Sequence, residues 1–547
     1  MTSRIGTRAV MCAKTVQNVG ENKAGKPSWP RLCRSSFAPP ISLPDYRPAD
    51  PQVLDGFSRY SGRVPICGRL GYRNLRKRGA GQLSKLPDLP FGRISRRIAV
   101  TVRHDYDVVI VGAGVAGGAL ATRLARDGLT VLLLERTRVH VDRIRGEWLA
   151  PWGVREAREL GLLDALLDAG GHFVSRTVRY EGSIPIEKAR AAAMETTALV
   201  PDVPGVMMLG HPRMCVTLDH AAQDAGATLL RNVESVSVEP GLPPTISYMH
   251  ENEQYTVRPR LVVGADGRGS SVARQIGAKV QTEPAHHLIA GLLIEGVHAW
   301  PEDEQAMGVH DGAYLLIFPQ GQGRIRLYLC YSLEERGRLA GPQAANNFLQ
   351  AFHVPSLPFS DAIAGGQLAG PCQGYPNADT WVDAPIAPGV VLIGDAAGHN
   401  DPTIGQGLSI TMRDVRLVSD AIATADDWHD RLFANYATER RERMRRLRLT
   451  ARLTSKLRCE FDVAADVRRT EVWGRIAQDR SVALPLLVPF IGPFGVPDET
   501  FQDAAVKKLL GDQWSLSEDG WCQQASARAK FRLTPISGRR NTRRPND

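Results

Sequence analysis

No C-x-x-C or C-x-x-C-H pair occurs in the chain. Its eight cysteines (Cys12, Cys33, Cys67, Cys215, Cys330, Cys372, Cys459 and Cys522) lie far apart. That absence removes zinc ribbons, thioredoxin-like redox centres, c-type haem attachment and the dithiol-active disulfide reductases, and no metal ligand set is read from the spacing. Scattered cysteines in a large chain are the pattern of buried thiols in a reducing compartment, so a cytoplasmic location is expected. No apolar run reaches the ~18–20 residues of a membrane-spanning helix. The nearest, 108–125, is broken by glycines and Arg123. The basic start is followed by no apolar core of the signal-peptide kind.

What is there describes a soluble globular protein: 547 residues, 43% hydrophobic and 23% charged, with 52 glycines. The length suits two or three domains. The net charge of +10 resides at the ends. Residues 1–104 hold 20 Lys/Arg against 5 Asp/Glu, and 523–547 hold 7 against 1. Between them, 105–522 hold 41 basic against 52 acidic residues, so the body is acidic and a nucleic-acid partner is not expected. Residues 1–104 contain ten prolines and patches such as Arg73-Asn-Leu-Arg-Lys-Arg78. Little surface there can be buried to offset chain entropy, and disorder is expected. A transit peptide fits the arginine bias, but the prolines break the amphipathic helix it needs. The favoured reading is that translation begins near Val100 or Val102. The basic tail 523–547 is read as solvated.

From Tyr106 the character changes. Tyr106-Asp-Val-Val-Ile-Val111 is a β-branched run suited to a buried parallel strand. Gly112-Ala-Gly114-Val-Ala-Gly117 follows, then a helical stretch ended by Asp127-Gly128 and a second strand, Thr130 to Leu134, closing on Glu135 and Arg136. The first glycine turns the chain, the second admits a pyrophosphate to the backbone, and the third lets helix pack on strand. The helix N-terminus offers N–H groups to phosphate, and Glu135 is placed to accept from a ribose. Two later segments repeat strand, glycine turn and helix start: Leu261-Val-Val-Gly264-Ala-Asp266-Gly267, with Ser270 or Ser271 as N-cap, and Val390-Val-Leu-Ile-Gly394-Asp395 running to Pro402-Thr-Ile-Gly405-Gln406-Gly407.

With these three motifs in order, residues 105–425 resemble the class A flavoprotein monooxygenases, the para-hydroxybenzoate hydroxylase type. Two further segments fit: Asp142-Arg143-Ile-Arg145-Gly146, similar to an arginine-bearing turn over the FAD pyrophosphate, and Leu209-Gly-His211-Pro-Arg213, similar to a segment beside the flavin. The resemblance implies FAD, with NADPH or NADH as reductant. It implies that O₂ adds at flavin C4a and that the resulting hydroperoxide transfers one oxygen atom to a small organic substrate. It also implies that Asp395 meets the ribityl or pyrophosphate part of FAD, that Gly405, Gln406 and Gly407 aim a helix N-terminus at the flavin ring, that Pro402 lines the ring face, and that Asp266 and Gly267 meet both cofactors. His211 is named only as a flavin-pocket wall. His399 has no assigned role, and Asp401 is read as capping the helix start after it. No acid/base triad is read, and the catalytic residues are left unassigned.

The expected architecture is α/β: a Rossmann-type FAD-binding domain with an inserted antiparallel substrate sheet and a helical C-terminal part. FAD-binding segments are expected at 105–172, 206–282 and 385–425, substrate-domain segments at 173–205 and 283–384, and a helical region at 426–522. Strand-like alternation marks Thr177–Tyr180, His287–Ile294, Gly312–Phe318 and Gly323–Tyr331 as strands; the resemblance implies that they close one side of the substrate cavity, which makes Tyr314, Phe318, Tyr328 and Tyr331 candidate cavity residues. Tyr328 and Tyr331 are three apart, so at most one of them faces it. Arg431 to Phe461 reads as a long, solvated helix with i,i+4 pairing. Residues 483–496, broken by three prolines, are expected to cover the substrate mouth, rest weakly on a membrane surface, or pack. The expected state is a monomer or homodimer. A reductase of the geranylgeranyl-reductase type shares the three motifs. A flavin halogenase wants a W-x-W stretch that the nine tryptophans do not supply. An FAD-binding protein without turnover is the non-enzymatic rival.

Overall fold

The computed structural model describes residues 101–103 and 106–516, apart from 143, 145, 183, 377 and 515. All of them belong to one unit, Arg93–Asp547. The expectations for residues 1–100 and 523–547, and for Arg143 and Arg145, lie outside the described residues.

The β-branched run is a strand, Val108–Val111, at the heart of a six-stranded sheet. From one edge the order is Ile386–Ala387, Val390–Leu392, Leu261–Gly264, Val108–Val111, Val131–Leu134 and Thr228–Leu230. All neighbours are parallel except the first pair. Val108, Val109 and Ile110 are fully buried because both faces of the sheet are covered. On one face pack the helices Val115–Arg126, His211–Asp224 and Gly407–Ala423. On the other, Val109, Val111 and Leu132 meet Val238, Ile246, Tyr248 and Val257 of a small second sheet. Its edge strand, Thr101–Arg103, pairs in parallel with Tyr255–Val257. Strand structure therefore begins before Tyr106, so the disorder expected over 1–104 does not extend to residues 101–103.

The substrate-side sheet has eight strands, including Leu288–Glu295, Ile325–Tyr331, Ala313–Pro319, Glu304–His310 and Arg176–Arg179 as consecutive neighbours. It is antiparallel except between Glu304–His310 and Arg176–Arg179. Period-two alternation sorts its side chains. Leu315, Ile317, Leu327, Leu329 and Tyr331 turn outward into a core with Phe348 and Phe352. Tyr314, Leu316, Tyr328 and Cys330 turn to the opposite side.

The C-terminal third is helical: Ala434–Arg458, Val463–Gln478, Leu484–Ile491 and Asp503–Leu510. The long helix is not solvated as expected. Arg440 and Arg443 are each 1% exposed, against Asp414 at 0%. Asp414 accepts from Arg440 Nε at 3.0 Å, from Arg443 at 2.6 Å and from the Gly394 backbone N–H at 2.8 Å. The remaining Arg440 N–H groups reach the carbonyls of Gly394, Ala397 and Gly398 at 2.8–3.0 Å. Arginine is buried here because its donors meet fixed acceptors rather than water. Among the described residues no helix is long and apolar enough to cross a membrane.

Candidate functional site

A cavity of about 650 Å³ runs from the first glycine loop to the inner face of the substrate-side sheet. Gly112, Gly114, Glu135, Arg136, His211, Asp266, Gly267, Asp395, Pro402, Gly405, Gln406 and Gly407 line it, together with the largely apolar chamber formed by Met307, Tyr314, Leu316, Phe318, Tyr328 and Phe490. Twelve of the expected cofactor residues thus converge, from segments up to 295 positions apart in sequence.

The local reasons are visible in the packing. Gly117 sits one helical turn into Val115–Arg126, where a Cβ would stand 1.8 Å from the Gly112 carbonyl oxygen. It is a packing residue and does not line the cavity. Gly114, Gly267 and Gly407 do line it, and a Cβ on any of them would meet no atom within 4 Å. These three missing side chains leave the cavity wall bare backbone, beside the N-termini of the Val115–Arg126 and Gly407–Ala423 helices.

The acids differ in their commitments. Glu135 accepts from Ala113 N–H at 2.9 Å and from the Thr137 N–H and hydroxyl at 2.8 and 2.7 Å. Burial pushes its carboxyl up, but these bonds outweigh it and hold the pKa below the ordinary glutamate value. Asp266 is engaged by its own turn: its carboxylate accepts from the Ser271 and Val272 N–H groups and from the Ser270 and Ser271 hydroxyls. Ser270 Oγ in turn accepts from Ala273 N–H at 2.9 Å, as a capping residue does. Asp395 faces Arg268 at 3.4 Å across the cavity. Asp401 caps the turn Pro402–Ile404 through Thr403 N–H at 2.9 Å.

Besides Gly117, two further expected residues lie off the cavity. Arg213 is exposed, because Met214, Cys215 and Leu218 take the inward face of its helix. Gly394 is held at the strand end by Asp414 and Arg440, and only its neighbour Asp395 reaches the opening.

Tyr314, Phe318 and Tyr328 reach the chamber with Met307 and Leu316, and Tyr331 does not, as the three-residue spacing requires. Phe490 and Leu486, from the proline-broken segment, close the chamber opposite them. Of the roles expected for 483–496, packing is visible, since Val488 and Val496 join the core beneath the long helix while Leu486, Pro489 and Phe490 line the cavity. Sequence reasoning missed a polar wall. Tyr328 donates to Glu147 at 2.7 Å, and Glu147 lies 3.1 Å from Arg326, which also engages Asp142. Burial raises the Glu147 pKa above the ordinary value and lifts that of Tyr328 well above 10. Trp148 was missed too; it donates to Gln305 at 2.7 Å and stands where a Cβ on Gly405 would strike its ring. Arg458, at the end of the long helix, was read only as surface charge. Its place in the chamber wall is set by the helix's tertiary docking, to which its spacing gives no clue.

A parallel dinucleotide-type sheet with a bare-glycine cavity opening onto a second sheet defines a cofactor-dependent oxidoreductase. The chain belongs to the FAD-binding domain family, whose model matches residues 105–451, and with it to the class A flavoprotein monooxygenases; FAD is its cofactor. It is 27% identical over 349 residues to digeranylgeranylglycerophospholipid reductase 1 of Methanococcoides burtonii, a match that covers 61% of this chain and 79% of that one. It is 26% identical over 338 residues to squalene monooxygenase SE2 of Panax ginseng, and that match spans 59% of either chain. The crystal structure of p-nitrophenol 4-monooxygenase PnpA from Pseudomonas putida shares the fold, with a TM-score of 0.60 at 18% identity over 72% of this chain and 99% of that one.

Proposed function

We propose that this chain is an NADPH- or NADH-dependent monooxygenase that holds FAD in the cavity and inserts one oxygen atom of O₂ into a small apolar organic molecule in the chamber. The observation that carries the reading is the continuity of a bare-glycine cradle with an apolar chamber. Gly114, Gly267 and Gly407 leave the volume that a dinucleotide and a flat ring need, and a Cβ at any of them would fill it. In this reading Gly112, Gly114, Glu135 and Arg136 hold the adenosine and phosphates, Asp395 and Asp266 face the ribityl chain, and Pro402 with Gly405 to Gly407 faces the ring. FAD supplies the redox and oxygen chemistry, and the protein positions, excludes water and stabilises charge. The N-terminus of the Gly407–Ala423 helix supports negative charge where it is aimed. Tyr328, kept protonated by burial, presents its ring to the chamber and its hydroxyl to Glu147.

The partition proposed from the sequence, FAD-binding at 105–172, 206–282 and 385–425 and substrate-binding at 173–205 and 283–384, accompanies this reading. Squalene and digeranylgeranylglycerophospholipids, from the names of the matched relatives, join phenols, terpenoids and polyketides in the substrate panel. The reductase relative favours a second reading, hydrogenation of an apolar substrate by the same cofactor. The test is NAD(P)H oxidation by FAD-loaded protein across that panel, with and without ¹⁸O₂. Product carrying one ¹⁸O atom is the expected result. Oxygen-independent turnover giving a hydrogenated product would replace the monooxygenase with the reductase. Extracted chromophore that proves to be FMN would end both.

A further inference from the structure

Behind the chamber wall, three side chains from distant segments converge. His287 precedes the strand Leu288–Glu295, Cys330 lies on the chamber-side face of Ile325–Tyr331, and Cys459 follows the last turn of the helix Ala434–Arg458. Their exposures are 0%, 0% and 4%, and their donor atoms all lie within 4.8 Å of one another. Two thiols and an imidazole at that spread are the donor set of a tetrahedral site, in which Zn–S distances of ~2.3 Å and Zn–N distances of ~2.0–2.1 Å bring neighbouring donors to roughly 3.5–4 Å. Asp401 Oδ2 lies 3.7 Å from His287 Nε2, behind the imidazole and outside the group of mutually close donors.

The surroundings also suit a ligating set. A coordinating imidazole needs its second nitrogen held by an oxygen, which fixes ring orientation and tautomer. Both His287 nitrogens have one: Ser455 Oγ at 3.2 Å from Nδ1 and Thr403 Oγ1 at 2.7 Å from Nε2. Whichever nitrogen coordinates, the other keeps a hydroxyl partner. The two thiols pack against Ile289, Leu316 and Tyr328 on one side and lie beside the imidazole of His287 on the other.

We propose that His287, Cys330 and Cys459 form a zinc site that ties the substrate-side sheet and the long C-terminal helix to one another. Binding exchanges the two thiol protons for the dication and releases them to solvent, leaving Zn²⁺ balanced by two thiolates. The site is separate from the redox chemistry: Thr403 and Arg458, neighbours of the ligands, line the chamber, and the ligands themselves do not.

The experiment uses full-length, FAD-loaded protein purified without chelators. Elemental analysis is expected to give one zinc per chain. Protein produced in cobalt-supplemented medium is expected to show the visible ligand-field bands of a tetrahedral thiolate site, at longer wavelength than the flavin absorption. Cys330→Ser and His287→Ala are each expected to lose the metal and retain FAD. Should either variant fail to fold, the metal content and cobalt spectrum of the unaltered protein still decide. Metal-free protein that takes up neither zinc nor cobalt would overturn the proposal. So would a Cys330–Cys459 disulfide in the protein as isolated, or a folded Cys330→Ser variant that keeps full metal content. None of these outcomes bears on whether the substrate is oxygenated, so the two proposals fail separately.

Discussion

Asp414 is fully buried and binds two guanidinium groups and one backbone N–H. Removing one partner of a buried ion pair leaves its counter-charges stranded, at a cost of about 3–5 kcal/mol. Asp414→Ala is therefore expected to lose stability in that range, read by urea denaturation of the FAD-loaded protein, and to shed flavin because the turn carrying Asp395 loosens. Unchanged stability would mean that water replaces the carboxylate. Glu135 supports a prediction of pH dependence. Its pKa is lower folded than unfolded, so its contribution is fully present above about pH 4.5 and is lost as pH falls through the lower folded value. The melting temperature of Glu135→Gln should lie below that of the unaltered protein at pH 6, and the gap should close as the pH is brought down past 4.5. At this scale the sequence misled most over arginine. Glu439 to Arg448 looks like an exposed charge ladder, and only the acceptors brought by Gly394 to Gly398 and by Asp414 decide that Arg440 and Arg443 point inward.

At the scale of elements, two glycines three positions apart separate binding from packing. Gly114→Ala places a methyl group in open cavity, so the expected outcome is an intact fold with FAD affinity lowered by about tenfold or more, equivalent to ~1.4 kcal/mol. Gly117→Ala drives its methyl into the Gly112 carbonyl, and overpacking of this kind is expected to cost about 1–3 kcal/mol or more. Flavin titration and thermal unfolding of the apoprotein distinguish the two. A Gly114→Ala variant that binds FAD normally would remove the cradle assignment. The elements legible beforehand were those with a local signal: buried β-branched runs, glycine turns, and the alternation that puts Tyr328 and Tyr331 on opposite faces. The strand Glu304–His310 escaped because Glu304 and Gln305 break its apolar pattern, although both are buried beside Thr177 and Tyr180. The convergence of His287, Cys330 and Cys459 escaped for a different reason. Ligands separated by 43 and 129 positions carry no spacing signature, and tertiary packing alone unites them.

For the molecule as a whole, the charge split and the pairing of Thr101–Arg103 with Tyr255–Val257 set a boundary for trimming. A chain starting at residue 100 is expected to keep its flavin and its melting temperature. One starting at 106 forgoes a three-residue parallel ladder and should lose about 1–3 kcal/mol, at ~1 kcal/mol per net hydrogen bond. Equal stability of the two would show that the edge strand adds nothing. The long helix has a wider consequence. Spanning 25 residues, or roughly 37 Å at 1.5 Å per residue, it grips the carbonyls of Gly394, Ala397 and Gly398 with Arg440 and ends in the chamber wall at Arg458. Cofactor turn and substrate wall are thus heirlooms that pass down together. A chimaera that borrows a foreign substrate sheet but keeps the native rod inherits half of someone else's wall, whereas one that borrows the rod must also borrow the turn it clasps. A chimaera joined within 394–458 is therefore expected to lose one of the two contacts, whereas exchange of the whole block keeps both.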